Sequence, residues 1–288
     1  MDFEFDVARL ASRVLKVNMK LFRKVIESNN WLCRKVTESG WIKADENPLP
    51  RFQQAIETIL EQSPSLRILE IGGSSRPFLE KGSGSMYVGL DIDPVVSDNE
   101  CYDRAIVQSA EEPIDGEFDL VFNKYVHEHI RDNAKAVAAI SNCLAENGHF
   151  ICLIPCGRHP YSIATKIVGN RLQRFLIRVL RPGFVHKTGY PVFYDKCTPK
   201  AFEKLLAANG FTIEKMTLFW GASAYFSFCF PLFLAICGFN RFAKSLTWRQ
   251  VASGMIVHAR RTSAQQIHMQ RKDGARVPNK TDVDTITR

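Results

Sequence analysis

The stretch RILEIGGSSRP, Arg67 to Pro77, passes from alternating apolar residues straight into two glycines and two serines. The first five residues read as a strand and the rest as a tight turn. Glycine lets the main chain approach another group closely and adopt dihedrals that other residues avoid. In an open parallel sheet, ligands bind beyond the carboxyl ends of the strands, where the strand order reverses. The stretch therefore marks a binding turn if a parallel sheet surrounds it.

The flanking sequence supplies that sheet. Short apolar runs lie at Arg67–Ile71, Met86–Asp91, Ala105–Gln108, Phe118–Asn123 and His149–Pro155. Helical patterns separate them: Phe52–Gln62 stops before Pro64, and Ala134–Ala145 ends near Gly148, a C-cap residue. Thr198–Asn209 has Thr198 as N-cap, Pro199 at the first helical position and Gly210 past its end. Strands at Phe211–Phe219 and Gly254–Arg260 complete the series. Alternating strands and helices imply βαβ units and a mostly parallel sheet. Residues 1–49 form an N-terminal amphipathic helical region, 50–262 the main domain, and the polar residues 263–288 a disordered tail.

At 288 residues, 45% hydrophobic and 24% charged, the chain is globular. A net charge of +8 favours an anionic partner, whether nucleic acid, membrane or acidic substrate. Eight cysteines show no CxxC pair and no His/Cys cluster at zinc spacing. With no signal-peptide pattern at the N-terminus, they read as reduced, mostly buried thiols of a cytosolic protein. Cys152 and Cys156 flank the end of a strand and read as core.

Gly72 and Gly73 point to a bound cofactor, and Asp91 narrows its kind. Asp91 ends the second strand in YVGLDIDP, 19 residues after Gly72, where a carboxylate accepts from both hydroxyls of a ribose. The dinucleotide pattern GxGxxG fails, because its positions fall on Gly72, Ser74 and Pro77. No GxxxxGK[ST] element exists either. A nucleoside cofactor without phosphates remains, and S-adenosylmethionine fits.

These blocks together resemble the class I S-adenosylmethionine-dependent methyltransferases, of the broad small-molecule group. LEIGGSSRP is similar to the family's ExGxGxG turn, with Glu70, Gly72 and Gly73 in place and Ser74 and Arg76 departing from the glycines. The resemblance implies an α/β fold, a Rossmann-like seven-stranded, mostly parallel sheet with helices on both faces. It also implies that this turn holds the methionine part of S-adenosyl-L-methionine, that Asp91 meets the ribose and that Ile92 lies beside the adenine. In VQSAEEP, Ser109 and Ala110 occupy the adenine edge, with Glu111 as a substitute acceptor. Asn123 ends the fourth strand, where the family holds cofactor and faces substrate, and LAENGHFICLIP is similar to the fifth-strand block.

YVHEHI places His127, Glu128 and His129 just past Asn123. Methyl transfer to a hydroxyl needs alignment, exclusion of water and loss of a proton, and histidine suits the last. His127 and His129 are the candidate bases; each also fits a structural role. Some relatives hold a metal with E-x-x-E-H here, but Tyr125 stands at the first glutamate, and one acid with one imidazole makes a poor magnesium site. No metal is expected.

Two insertions follow. Between Gly157 and Cys197 lies a lid-length segment in which Arg171, Arg174, Arg178 and Arg181 recur at helical steps. Tyr161, His186, Tyr190 and Tyr194, with Tyr125, are its candidate substrate contacts. From Thr217 to Asn240 there is no charged residue, and Pro231 divides the run. An interfacial or re-entrant hairpin over 221–248, anchored by Arg241, Lys244, Trp248 and Arg249, fits better than a full span. A buried lid or a dimer interface uses the same aromatics. Val7, Leu10, Val14, Val17 and Leu21 line one helical face opposite Arg9, Arg13, Lys16, Lys20 and Arg23; this is either a packed surface helix or a membrane-surface one.

The expectation is thus an enzyme on the cytoplasmic face of a membrane, peripheral or monotopic, that methylates oxygen on a lipid-linked, glycan or apolar small-molecule acceptor. The insertions resemble those of methyltransferases of bacterial cell-surface glycan assembly. A nucleic-acid methyltransferase is the second reading, but the aromatics avoid the lysines and no NPPY-like element follows the fourth strand. A non-catalytic membrane-associated scaffold that binds the same cofactor is the third.

Overall fold

The computed structural model describes residues 21–43, 45–63, 65–74, 76–169 and 190–262. The apolar face Val7–Leu21 falls almost wholly outside these residues, as do the four lid arginines, His186 and the tail.

Residues 21–38 form helix α1. Helix α2, Leu49–Gln62, carries Pro50 in its first turn, where its fixed φ is suited, and buries Phe52, Ile56 and Ile59 at helical spacing. Each fully buried side chain of that size contributes about 1.5–3 kcal/mol. Seven strands follow: β1 Arg67–Ile71, β2 Met86–Asp91, β3 Arg104–Val107, β4 Phe118–Lys124, β5 Leu144–Pro155, β6 Phe211–Phe219 and β7 Gly254–Arg261. They form one sheet in the order β3-β2-β1-β4-β5-β7-β6. β7 runs antiparallel to both neighbours and every other pairing is parallel. The seven-stranded, mostly parallel architecture implied by the resemblance is the one found.

Helix α3, Asn133–Cys143, and helix α5, Pro199–Ala208, cover one sheet face through Val137, Ile140, Phe202 and Leu206. α2 covers the other, on Ile68, Leu120, Phe122 and Ile151. Asp132 caps α3 by accepting from the N–H groups of Ala134 and Lys135. α3 stops at Cys143, and β5 begins at once with Leu144 pairing Phe118, five residues before the expected strand. Gly148 therefore lies within the irregular start of β5 and caps no helix.

The uncharged run folds as a short 3₁₀ turn, Ser223–Phe226, and helix α6, Phe230–Ser245. α6 packs its inner face on α1, with Phe233 and Cys237 against Cys33. Polar ties reinforce this: the Phe230 N–H donates to Asn29 (3.0 Å), and Asp45 accepts from Ser223 (2.7 Å) and the Ala224 N–H (2.9 Å). Part of the run's apolarity is thus spent inside the chain. Among the described residues no helix is long and apolar enough to cross a membrane. Helix α4, residues 160–169, opens the lid segment.

The two glycines of the opening turn are demanded by the chain's own atoms. Gly72 has φ +84°, and a Cβ there would lie 2.3 Å from a Val126 methyl. A Cβ on Gly73 would lie 1.9 Å from the Tyr102 hydroxyl and 2.7 Å from the Glu70 carboxyl carbon. Gly73→Ala is accordingly expected to cost roughly 1–3 kcal/mol in denaturant unfolding. Tyr102→Phe, which removes the clashing hydroxyl, should recover part of that loss in a double-mutant cycle.

Candidate functional site

The strand tips named in the sequence meet on one edge of the sheet. Ile71 lies beside both Leu90 and Asn123, and Asp91 beside Val107. The turn after β1, Asp91, the turn at Ser109 and Asn123 therefore leave the same edge. Strand order reverses between β1 and β4, the position where such sheets bind ligands.

Not all the candidate cofactor residues face that edge. Glu70 is 4% exposed and lies beneath the turn, where its carboxylate accepts from the Tyr87 and Tyr102 hydroxyls and the Phe78 N–H. It braces the loop from inside; burial raises its pKa in spite of these donors. Glu111 is also engaged: its Oε1 accepts from the N–H groups of Arg131 and Asp132 and ties the β3 turn to the start of α3. Ser109 Oγ accepts from the Glu111 N–H, a local turn bond, and Ala110 is buried. Ser74 sits at φ +43° and gives its carbonyl to Asn99. Asp91 holds the Asp93 N–H at 2.9 Å, and burial raises its pKa. Ile92 is 62% exposed beside it, an apolar surface at the tip of β2.

His127 is a correction. Its imidazole is fully buried, and both ring nitrogens are taken: Nδ1–H donates to Asn133 Oδ1 (2.5 Å), and Nε2 accepts from Asn123 Nδ2 (3.1 Å). Burial pushes its pKa down to about 4. A sealed, doubly bonded ring takes no proton from a substrate. Its effect is to orient Asn123, whose buried Oδ1 then has no partner among the described residues.

His129 is placed differently. Its Nδ1–H donates to the Pro191 carbonyl at 2.8 Å, which leaves the lone pair on Nε2. Nε2 lies 3.9 Å from Glu128 Oε1, and burial lowers the imidazole pKa. Glu128 is 5% exposed, its Oε2 has no hydrogen-bond partner among the described residues, and burial pushes its pKa up to about 8. The sequence reading treated Glu128 only as half a metal motif. Its burial is a tertiary fact: the Phe193 and Tyr194 N–H groups both fold onto its backbone carbonyl, at 2.7 and 3.1 Å.

Both residues line a cavity of about 480 Å³ beyond the ends of β4, β5 and β6. Tyr125, Tyr161, Tyr190 and Tyr194 wall it, so four of the five proposed substrate contacts come together; His186 lies outside the described residues. Tyr125 has φ +58°, a left-handed conformation costing about 1–3 kcal/mol in a non-glycine residue. Tyr161 stacks on Tyr225 with centroids 4.1 Å apart. The Tyr190 ring meets His129 edge-on with centroids 5.9 Å apart, and burial, Asp93 and Asp91 raise its pKa. The sequence reading missed the far wall: Asp45, Glu46 and Pro48 from the N-terminal segment, and Phe219, Gly221, Ala222 and Tyr225 from the insertion. Gly221 was the available signal, since a Cβ there would press on Asp45 at 3.3 Å.

Glu128 makes stability depend on pH. The folded carboxyl keeps its proton to about pH 8, whereas the unfolded one loses it near 4.5. Folding strength is therefore full below pH 4.5 and is lost as pH rises to 8, at up to about 1.4 kcal/mol per unit. Glu128→Gln should remove this slope, so that thermal melts at pH 9 show the variant more stable than the parent.

A family model described as a methyltransferase domain matches residues 45–216. No curated protein matches. Among solved structures, an S-adenosylmethionine-dependent methyltransferase from Mesorhizobium loti is 16% identical, over 72% of this chain and 96% of its own, with a TM-score of 0.46. N-methyltransferase NodS from Bradyrhizobium japonicum WM9, in complex with S-adenosyl-L-homocysteine, is 14% identical over 76% and 90%, TM-score 0.44. Magnesium protoporphyrin IX methyltransferase from Synechocystis PCC 6803, with bound cofactor, is 12% identical over 81% and 97%, TM-score 0.43. At these overlaps no acceptor carries across.

Proposed function

Because the chain belongs to the methyltransferase-domain family and is an S-adenosylmethionine-dependent methyltransferase, we propose that it methylates a hydroxyl of an apolar, lipid-linked or glycan acceptor at a membrane face. The observation that carries this reading is the Glu128–His129 pair in a tyrosine-walled cavity.

The residues at the sheet edge suit the cofactor. Asn123 Oδ1 is a buried acceptor without a partner among the described residues, Asp91 is a carboxylate at the tip of β2, and Ile92 is an exposed apolar neighbour. Together with the turn at Gly72–Ser74 they would hold it. When bound, S-adenosylmethionine supplies an electrophilic methyl group. The rest of the chemistry falls to the chain. Nε2 of His129, neutral because burial depresses its pKa, takes the proton of the acceptor hydroxyl. Glu128 Oε2 hydrogen-bonds and orients that hydroxyl. The tyrosines exclude water and flank an apolar or sugar-like acceptor. Removing a positioned base typically costs 10²–10⁴-fold.

Support for a membrane face comes from exposed apolar side chains on α6 and α1. α6 leaves Leu232, Leu234 and Phe242 exposed, followed by Leu246 and Trp248, while α1 leaves Phe22, Val25 and Trp31 exposed. The chain carries a net charge of +8, which anionic headgroups attract. α6 has 16 residues and one apolar face already packed on α1, so the helix would lie in the interface plane.

Radiolabelled methyl from the cofactor, supplied to fractionated cell extract, should appear in lipid or glycan fractions. Label confined to nucleic acid would refute the acceptor class. His129→Ala should lower transfer at least about 100-fold with cofactor affinity retained. In sedimentation with anionic liposomes the protein should pellet, and a Phe242→Ser, Leu246→Ser, Trp248→Ser triple variant should stay in the supernatant. If the folded variant pellets as before, this surface is not the anchor.

A further inference from the structure

Away from the cavity, three metal-ligating side chains converge on the antiparallel side of the sheet. His149 is on β5, His258 on β7 and Glu214 on β6. His149 Nδ1 lies 2.9 Å from His258 Nε2, which lies 3.1 Å from Glu214 Oε2. All three donor atoms fall within 4.8 Å of one another. Pairing places Ile151 opposite His258 and His149 opposite Arg260, so both imidazoles stand on one face. Glu214 joins them through a break in register: Ile213 pairs Ala259 and Lys215 pairs His258, leaving Glu214 as the extra residue of a bulge. Bulges re-aim side chains in this way.

Protons alone do not satisfy this cluster. If His149 Nδ1–H donates to His258 Nε2, that nitrogen turns its lone pair on the Glu214 carboxylate. If His258 Nε2–H donates instead, His149 carries its proton on Nε2, where the Arg260 guanidinium also points a donor at 3.3 Å. Either assignment leaves one facing pair of like kind. A cation between the three atoms accepts all three lone pairs. The contact then given up is the long one from Arg260, whose side chain is 42% exposed and keeps Glu214 Oε1 at 2.9 Å.

We propose that His149, Glu214 and His258 bind one divalent transition-metal cation of the zinc class. Two imidazole nitrogens and one carboxylate oxygen suit zinc, with a fourth position for water, and do not suit magnesium or calcium. The site is apart from the chemistry. His149 precedes Pro155, which lines the cavity, by six residues, or about 20 Å of strand. Its effect is to clamp the antiparallel β6–β7 pair to the parallel half of the sheet. Arg260 and Lys215 are the nearby cations that oppose it.

The full chain, freed of metal by chelation, is titrated with Co²⁺ and with Zn²⁺. One equivalent of Co²⁺ should give the visible absorption of a low-coordinate site, Zn²⁺ should abolish it, and Zn²⁺ should raise the melting temperature. His149→Gln with His258→Gln should lose both signals. Glu214→Gln, on the partly exposed edge strand, tests the same site if the double variant does not fold. Arg260→Gln should bind more tightly than the parent. Methyl transfer by the metal-free protein should be unchanged at a temperature where it is folded. No absorption and no thermal shift would overturn the proposal, and so would binding that survives in the ligand variants.

Discussion

The cavity floor depends on the side-chain amide of Asn133. It is fully buried at the start of α3 and is saturated. Its oxygen accepts from His127 Nδ1–H, and its nitrogen donates to the His127 and Asp195 carbonyls at 2.9 and 2.7 Å. Its own N–H goes to the Asp195 carboxylate at 2.9 Å. One residue thus locks the turn that carries Glu128 and His129 to the chain at Asp195. Each bond is worth only about 1 kcal/mol net, but a buried amide left unpaired costs more, so the network holds as a unit. Asn123 is aligned through the same ring, which links the tip of β4 to the tyrosine-walled cavity.

Against this fixed floor, the remaining walls come from parts of the chain far apart in sequence. Asp45 pins the N-terminal segment to the insertion, Asn240 on α6 bonds His159 at 3.0 Å, and α1 rests on α6. The hydrophobic run therefore has two faces with different tasks. The inner one completes the cavity and carries α1. The outer one stays exposed, and contact of that face with lipid is what the proposed function adds.

The fold was legible because periodicity and turn chemistry are local. Six of the seven strands lie within a residue of where alternation and flanking glycines put them; β5 starts earlier because nothing local distinguishes the end of α3 from a strand that follows without a loop. The opening turn was legible too, though its glycines answer first to Val126, Tyr102 and Glu70. Site chemistry was legible only by residue type. The sequence singles out YVHEHI but cannot rank its members, because His127 and His129 differ in what surrounds them and not in what they are.

Sequence alone determined the order of strands and helices along the chain, which follows from spacing, and its resemblance to a known family implied the class of cofactor. Tertiary structure decided which histidine keeps a free lone pair and why a glutamate carries a proton near neutrality. It also brought His149, Glu214 and His258 together from three strands. His127 is held by Asn123 and Asn133 nearby in the chain, but the partner of His129 and those of the three-strand cluster lie dozens to more than a hundred residues away, and no local pattern encodes them.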